Sequence, residues 1–97
     1  MPNTEAASSN RAIITVLGSD RPGIVASVTG ELADREANIL DISQTILQGT
    51  FTMTMLVDLG DSVDFSELKG ALDGLSEKLG VQITLQREEV FRFMYRL

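Results

Sequence analysis

Gly18-Ser19-Asp20-Arg21-Pro22-Gly23-Ile24-Val25 lies between an apolar run at residues 11–17 and an amphipathic run at 22–36. Its composition is that of a sharp strand-to-helix turn. Gly18 allows backbone angles that other residues resist. Asp20 is suited to cap a helix, because its carboxylate can accept from free backbone N–H groups one turn on. Pro22 stands near the first helical position, where a missing N–H costs nothing. Gly23 has no side chain to block an approach to the backbone. A helix start of this kind presents unpaired donors and partial positive charge, a natural seat for a carboxylate. Taken alone, the same residues also make a merely capped turn.

Outward from this stretch, the elements alternate. Residues 11–17 carry Ile13, Ile14, Val16 and Leu17, a nearly continuous apolar run suited to a strand inside a sheet. Residues 22–36 place Ile24, Val25, Val28 and Leu32 at three- and four-residue spacing, which predicts an amphipathic helix. Gly30 is a weak point in it, open to close packing against the sheet or a partner. Ala37-Asn38 is expected to end it, with Asn38 tolerating the left-handed conformation. Residues 39–47 read as a strand with Leu40, Ile42 and Ile46 on one face and Asp41, Ser43 and Thr45 on the other. Gln48-Gly49-Thr50 predicts a hairpin with Gly49 at positive φ. Residues 51–59 alternate most cleanly, with Phe51, Met53, Met55, Val57 and Leu59 on one side.

Asp64 followed by Glu67 resembles a capping box, and Phe65, Leu68, Leu72, Leu75 and Leu79 form a narrow apolar stripe behind it. Gly80 is the expected C-cap, and residues 81–86 alternate as a fourth strand. Residues 88–97 read as a short amphipathic helix in which Phe91, Phe93, Met94 and Tyr95 offer apolar cover. The order strand, helix, strand, strand, helix, strand predicts an α+β, ferredoxin-like βαββαβ sandwich. Its four-stranded antiparallel sheet takes the order 4-1-3-2, both long helices lie on one face, and a short C-terminal helix follows. The organisation expected is a disordered tail at 1–10, a domain at 11–87 and the terminal helix at 88–97.

Composition narrows the function. The chain of 97 residues has a formal net charge of -6, 43% hydrophobic content, no cysteine and no histidine. Disulfides, zinc-thiolate centres and thiol catalysis are excluded. The commonest general base and transition-metal ligand is missing. The expectation is a non-enzyme without a cofactor. Asp58, Asp61 and Asp64 recur at three-residue spacing, but this is not the spacing of an EF-hand loop, and Asp64 is better explained as a cap. Binding RNA with this element order requires paired aromatics on the central strands and a basic surface; the chain has neither. Nucleic acid and anionic membranes are therefore not expected partners. No apolar run spans a bilayer, and the first ten residues lack the basic start and apolar segment of a signal peptide, so a cytoplasmic chain is expected.

The opening stretch, read with Gly30-Glu31-Leu32-Ala33 and Ala37-Asn38-Ile39-Leu40-Asp41-Ile42, resembles the ACT domain over residues 11–86. The segment 88–97 resembles the tail of the small stand-alone UPF0237-type members. The chain is also similar to the ACT halves of the glycine-cleavage transcriptional repressor and formyltetrahydrofolate deformylase. The resemblance implies a homodimeric regulatory module that binds a small molecule, usually an amino acid, at the subunit interface. By position it implies a ligand-facing loop of Asp20, Arg21, Pro22, Gly23 and Ile24, with Asn38, Ile39 and Asp41 lining the same pocket from the other subunit. N–H groups around residues 22–24 would take the ligand carboxylate, and Asp41 or Asp20 its ammonium. The alternative expectation is a ligand-free interaction module whose acidic surface and terminal helix dock on a metabolic enzyme or regulator.

Overall fold

A computed structural model describes residues 10–19 and 22–95. The residues expected to form the tail at 1–9, together with Asp20, Arg21, Arg96 and Leu97, lie outside the described residues. In chain order the elements are β1 (Arg11–Ser19), α1 (Ile24–Asp34), β2 (Asn38–Leu47), β3 (Thr50–Asp58), α2 (Phe65–Leu79), β4 (Gln82–Arg87) and α3 (Glu88–Tyr95). The sheet runs β2-β3-β1-β4 with every neighbour antiparallel, which is the ferredoxin-like arrangement expected from the element order.

Alternation sorts the strands into two faces. Ala12, Ile14 and Val16 of β1, Phe51, Met53, Met55 and Val57 of β3, and Ile83 and Leu85 of β4 point to one side and are buried. The apolar stripes of α1 (Ile24, Val28, Leu32) and α2 (Leu68, Leu72, Leu75) join them in one core cluster. No buried polar or charged residue interrupts it among the described residues. The opposite face carries Thr15, Thr52, Thr54, Gln82 and Thr84. There α3 packs back on β1 and β4, and Ile13 of β1 is buried.

Several local expectations are corrected. β1 continues through Gly18 and Ser19, paired with Phe51 and Thr50. Gly18 is therefore a strand residue, and its need for glycine is steric: a Cβ there would stand 2.7 Å from Val81 Cγ1. α1 starts at Ile24, two residues later than the sequence pattern suggests, and its C-terminus closes before Asn38. Glu36, at φ 61°, takes the left-handed position. Ala37 N donates to Leu32 O and Glu36 N to Ala33 O, both at 3.0 Å, the paired bonds of a Schellman motif. Asn38 is thereby released to open β2. In β2 the register shifts between Ile39 and Asp41, so Leu40 has no partner across the ladder. This bulge moves Ile39, not Leu40, onto the face shared with Ile42 and Ile46, because one extra residue inverts the alternation before it.

Other expectations hold with detail added. Gln48 and Gly49 both have positive φ, 51° and 82°, as a two-residue type I′ hairpin requires. Asp64 caps α2, its Oδ1 accepting from Ser66 N at 3.1 Å. Glu67 does not complete a capping box. It accepts from Arg35 Nε and Nη2 at 2.7 and 2.8 Å, joining α2 to α1. Gly80, at φ 70°, ends α2.

Candidate functional site

The start of α1 is built on Gly23. Its φ of 88° is left-handed, a conformation that costs other residues about 1–2 kcal/mol. A Cβ at Gly23 would meet nothing within 4 Å. Glycine is thus required by the backbone, and among the described residues the space above it is open. Among the described residues no side chain caps α1. The first intrahelical bond is Ser27 N to Gly23 O, 2.9 Å. The N–H groups of Ile24, Val25 and Ala26 precede it and have no partner within the helix. Pro22 and Gly23 are exposed. Ile24 is only 1% exposed, so its side chain belongs to the core and only its N–H is available to the loop.

Along α1, the face opposite the apolar stripe is made of small residues. Ala26, Thr29, Gly30 and Ala33, with Ala37, Asn38 and Ile39 beyond the helix, line an open groove of about 500 Å³. Nothing lies within 4 Å of a Cβ built on Gly30, so this glycine opens the groove and does not serve contact with the sheet. The structure therefore brings Asn38 and Ile39 together with the length of α1. Asp41 is placed apart from them. It pairs across from Leu56, on the sheet face away from α1, and its Oδ1 accepts from Ile42 N at 2.9 Å beside the bulge. Asp20 and Arg21 lie outside the described residues. The small residues at 26, 29, 30 and 33 were not among the expected site residues; their three- and four-residue spacing was the signal that marks such a face.

Beside this groove runs the free edge of the sheet. Among the described residues β2 pairs only with β3, and all its residues but Ile39 are exposed. They include Leu40, Ile42, Ile46 and Leu47, with Ile46 57% and Leu47 71% exposed. An edge strand bearing four large apolar side chains is a template for pairing with another chain. Three of the charges nearby engage one another. Arg35 donates to Glu67 and, through Nη1, to Glu31 at 2.7 Å. Hydrogen bonds to these two carboxylates raise the Arg35 pKa above its ordinary value, and the same bond from Arg35 lowers that of Glu67. This cluster fixes the α1–α2 contact. No group of three or more carboxylate, imidazole or thiol side chains suited to a metal occurs among the described residues. Asp58 and Asp64 serve the backbone, accepting from Gly60 N and Ser66 N. No helix among the described residues is long and apolar enough to cross a membrane.

Comparison with known proteins places this geometry. The family model of the ACT domain matches residues 10–86. A UPF0237 protein of Methanocaldococcus jannaschii is 48% identical over 91% of this chain and 99% of its own length. Among solved structures, an ACT domain protein from Streptococcus pneumoniae superposes with a TM-score of 0.74 at 42% identity, covering 84% of this chain and 92% of that one. A putative glycine cleavage system transcriptional repressor gives a TM-score of 0.72 at 26% identity, over 79% of this chain and 44% of that one.

Proposed function

Because the chain belongs to the ACT-domain family, whose members are known as small-molecule-binding regulatory modules, we propose that it acts as a homodimer that binds an amino acid between its subunits. The observation that carries this reading is the bare apolar edge of β2 alongside the groove of α1. Two copies related by a two-fold axis would pair β2 with β2 antiparallel and set their α1 helices side by side. That arrangement covers Ile42 and Ile46. It also brings the α1 start of one copy toward Asn38 and Ile39 of the other, since β2 opens where α1 ends.

In this reading the ligand carboxylate accepts from the N–H groups of Ile24 and Val25 that have no partner within the helix, favoured by the helix dipole. Its ammonium donates to the carboxylate of Asp20. Asn38 and Ile39 of the other copy bound the side-chain end of the pocket, and Arg21 and Pro22 form its rim. Asp41, on the other face, supports the bulge. Binding across an interface ties ligand concentration to dimer stability, which is a regulatory signal.

The test is a thermal-shift screen with the common amino acids at millimolar concentration, paired with sedimentation of the free protein. A ligand present at about 100 times its Kd stabilises the folded dimer by about 2.7 kcal/mol. Gly23→Val, which fills the open approach, abolishes that shift. A strict monomer at micromolar concentration, or no stabilising amino acid, overturns the reading. The exposed Val90, Phe93 and Met94 of α3 favour a second reading, a module that docks on an enzyme or regulator. It predicts capture that depends on residues 88–97 and is indifferent to amino acids.

A further inference from the structure

The family match ends at residue 86 and α3 begins at Glu88. The helix is therefore an addition to the matched domain, and it folds back over the sheet face opposite α1 and α2. Between them lies a pocket of about 280 Å³, lined by Thr15, Leu17, Gln82, Thr84, Gln86 and Phe91. We propose that this pocket is a second binding site, distinct from the α1 groove, for a small neutral planar molecule carrying amide-type hydrogen-bonding edges, such as a nucleobase or an aromatic carboxamide.

The floor dictates that chemistry. Thr15 pairs directly across from Thr84, and Leu17 from Gln82. Gln82, Thr84 and Gln86 alternate along β4 and so project to one face. Neighbouring positions on such a floor are about 5 Å apart across strands and about 7 Å apart along one. The Thr15 and Thr84 hydroxyls are hydrogen-bonded to each other. One proton serves that bond, leaving the pair a second proton to donate and lone pairs to accept with. Each glutamine side chain offers a donor and an acceptor in one plane, the pattern that matches the edge of an amide or a base. Gln86 Nε2 donates only weakly, to Met94 Sδ at 3.5 Å, so it is free to exchange that contact for a better acceptor.

The walls select a flat, uncharged occupant. Leu17 on the sheet and the Phe91 ring from α3 supply apolar surface against which a planar ring packs. Among the described residues no ionised group lines the pocket. Beside it, Glu88 accepts from Arg11 and from Arg92, each at 2.8 Å, which also pins α3 to β1. A zwitterionic amino acid would be left there without counter-charges, which separates this site chemically from the one at α1. The volume lies just under the range typical of drug-sized ligands, so a single ring system fits.

The experiment is an amide-resolved NMR titration of the full chain with uracil, adenine and nicotinamide in turn. The expected result is saturable shifts, for at least one probe at millimolar concentration, at Thr84 and at the side-chain amides of Gln82 and Gln86, with Gly23 unmoved. Thr84→Val keeps the β-branched shape and removes the hydroxyl, and Gln82→Leu removes a carboxamide; each weakens binding about tenfold, the weight of one well-made hydrogen bond. Both positions are exposed, so thermal midpoints stay near that of the unmodified chain. Overturning results are the absence of saturable shifts with all three probes, shifts centred on α1 and β2, or unchanged affinity in both variants. Loss of the probe shifts as the chain associates at higher concentration would also overturn the proposal, by assigning the pocket to a second copy.

Discussion

The two βαβ halves of this fold are built from the same plan and finished differently. In the second half, α2 is capped by Asp64, ended by Gly80 and packed through Leu68, Leu72 and Leu75, and β4 runs straight into a helix that folds back over it. In the first half, α1 begins on a left-handed glycine with no side-chain cap among the described residues. One of its faces is small and open, and β2 is left with its apolar side chains in solvent. Unsatisfied donors and uncovered apolar surface are what a binding partner can satisfy. The unfinished half is where ligand and second subunit are proposed to sit, and the finished half is the platform that holds it.

The sharpest way to break this comparison is to damage each half at an apolar position. Leu72, 1% exposed in α2, has no means of compensating for truncation. Leu72→Ala should cost about 2–5 kcal/mol in urea unfolding. Ile46 is 57% exposed on β2. Ile46→Lys should change the stability of the isolated chain by about 0.5 kcal/mol or less, while the charge abolishes association through that edge. Equal losses of stability from the two substitutions would mean that β2 is as finished as α2.

Two glycines of the opening stretch separate what was legible from what was not. Glycine at 18 and 23 marks two constrained positions, and the sequence pattern around them placed the fold correctly. It could not assign the reasons. Gly18 is glycine because Val81, far along the chain, packs against it, a tertiary fact with no local signature. Gly23 is glycine because of its φ. The bulge at Leu40 escaped for a related reason: an uninterrupted alternation looks complete in sequence, and only pairing with Val57 and Leu56 reveals the extra residue. Glu67 matched a capping spacing but went to Arg35, because a guanidinium offering two bonds outcompetes one backbone N–H. Of the candidate site, Gly23, Asn38 and Ile39 were readable from resemblance, whereas the small face of α1 required the groove to be seen.

The glycine distinction is itself testable. Gly18→Ala should destabilise by about 1–3 kcal/mol through overpacking, and combining it with Val81→Ala should recover part of that loss. Gly23→Ala should cost about 1–2 kcal/mol with nothing recovered by Val81→Ala, because its cost lies in the backbone. A double-mutant cycle by chemical denaturation reads both. Additive energies for Gly18 and Val81 would refute the steric assignment.

The smallest effect concerns the tie between the halves. Among the described residues, Arg35–Glu67 is the ion pair that joins α1 to α2. The bond from Arg35 lowers the Glu67 pKa in the folded state. The folded chain therefore holds its proton less tightly than the unfolded chain. The pair's contribution is present above the ordinary glutamate value of about 4.3 and is lost as pH falls through the lower folded value. Arg35 stays charged throughout and keeps its bond to the Glu31 backbone carbonyl at 2.9 Å. Urea midpoints measured from about pH 7 to about pH 3 should fall less steeply for Glu67→Gln than for the unmodified chain. Because Glu67 is exposed, the two should nearly coincide at the acid end, where the carboxyl is protonated and resembles the amide. Parallel curves would mean that the open half leans on the closed half through its apolar contacts alone, with the ion pair a bystander at their surface.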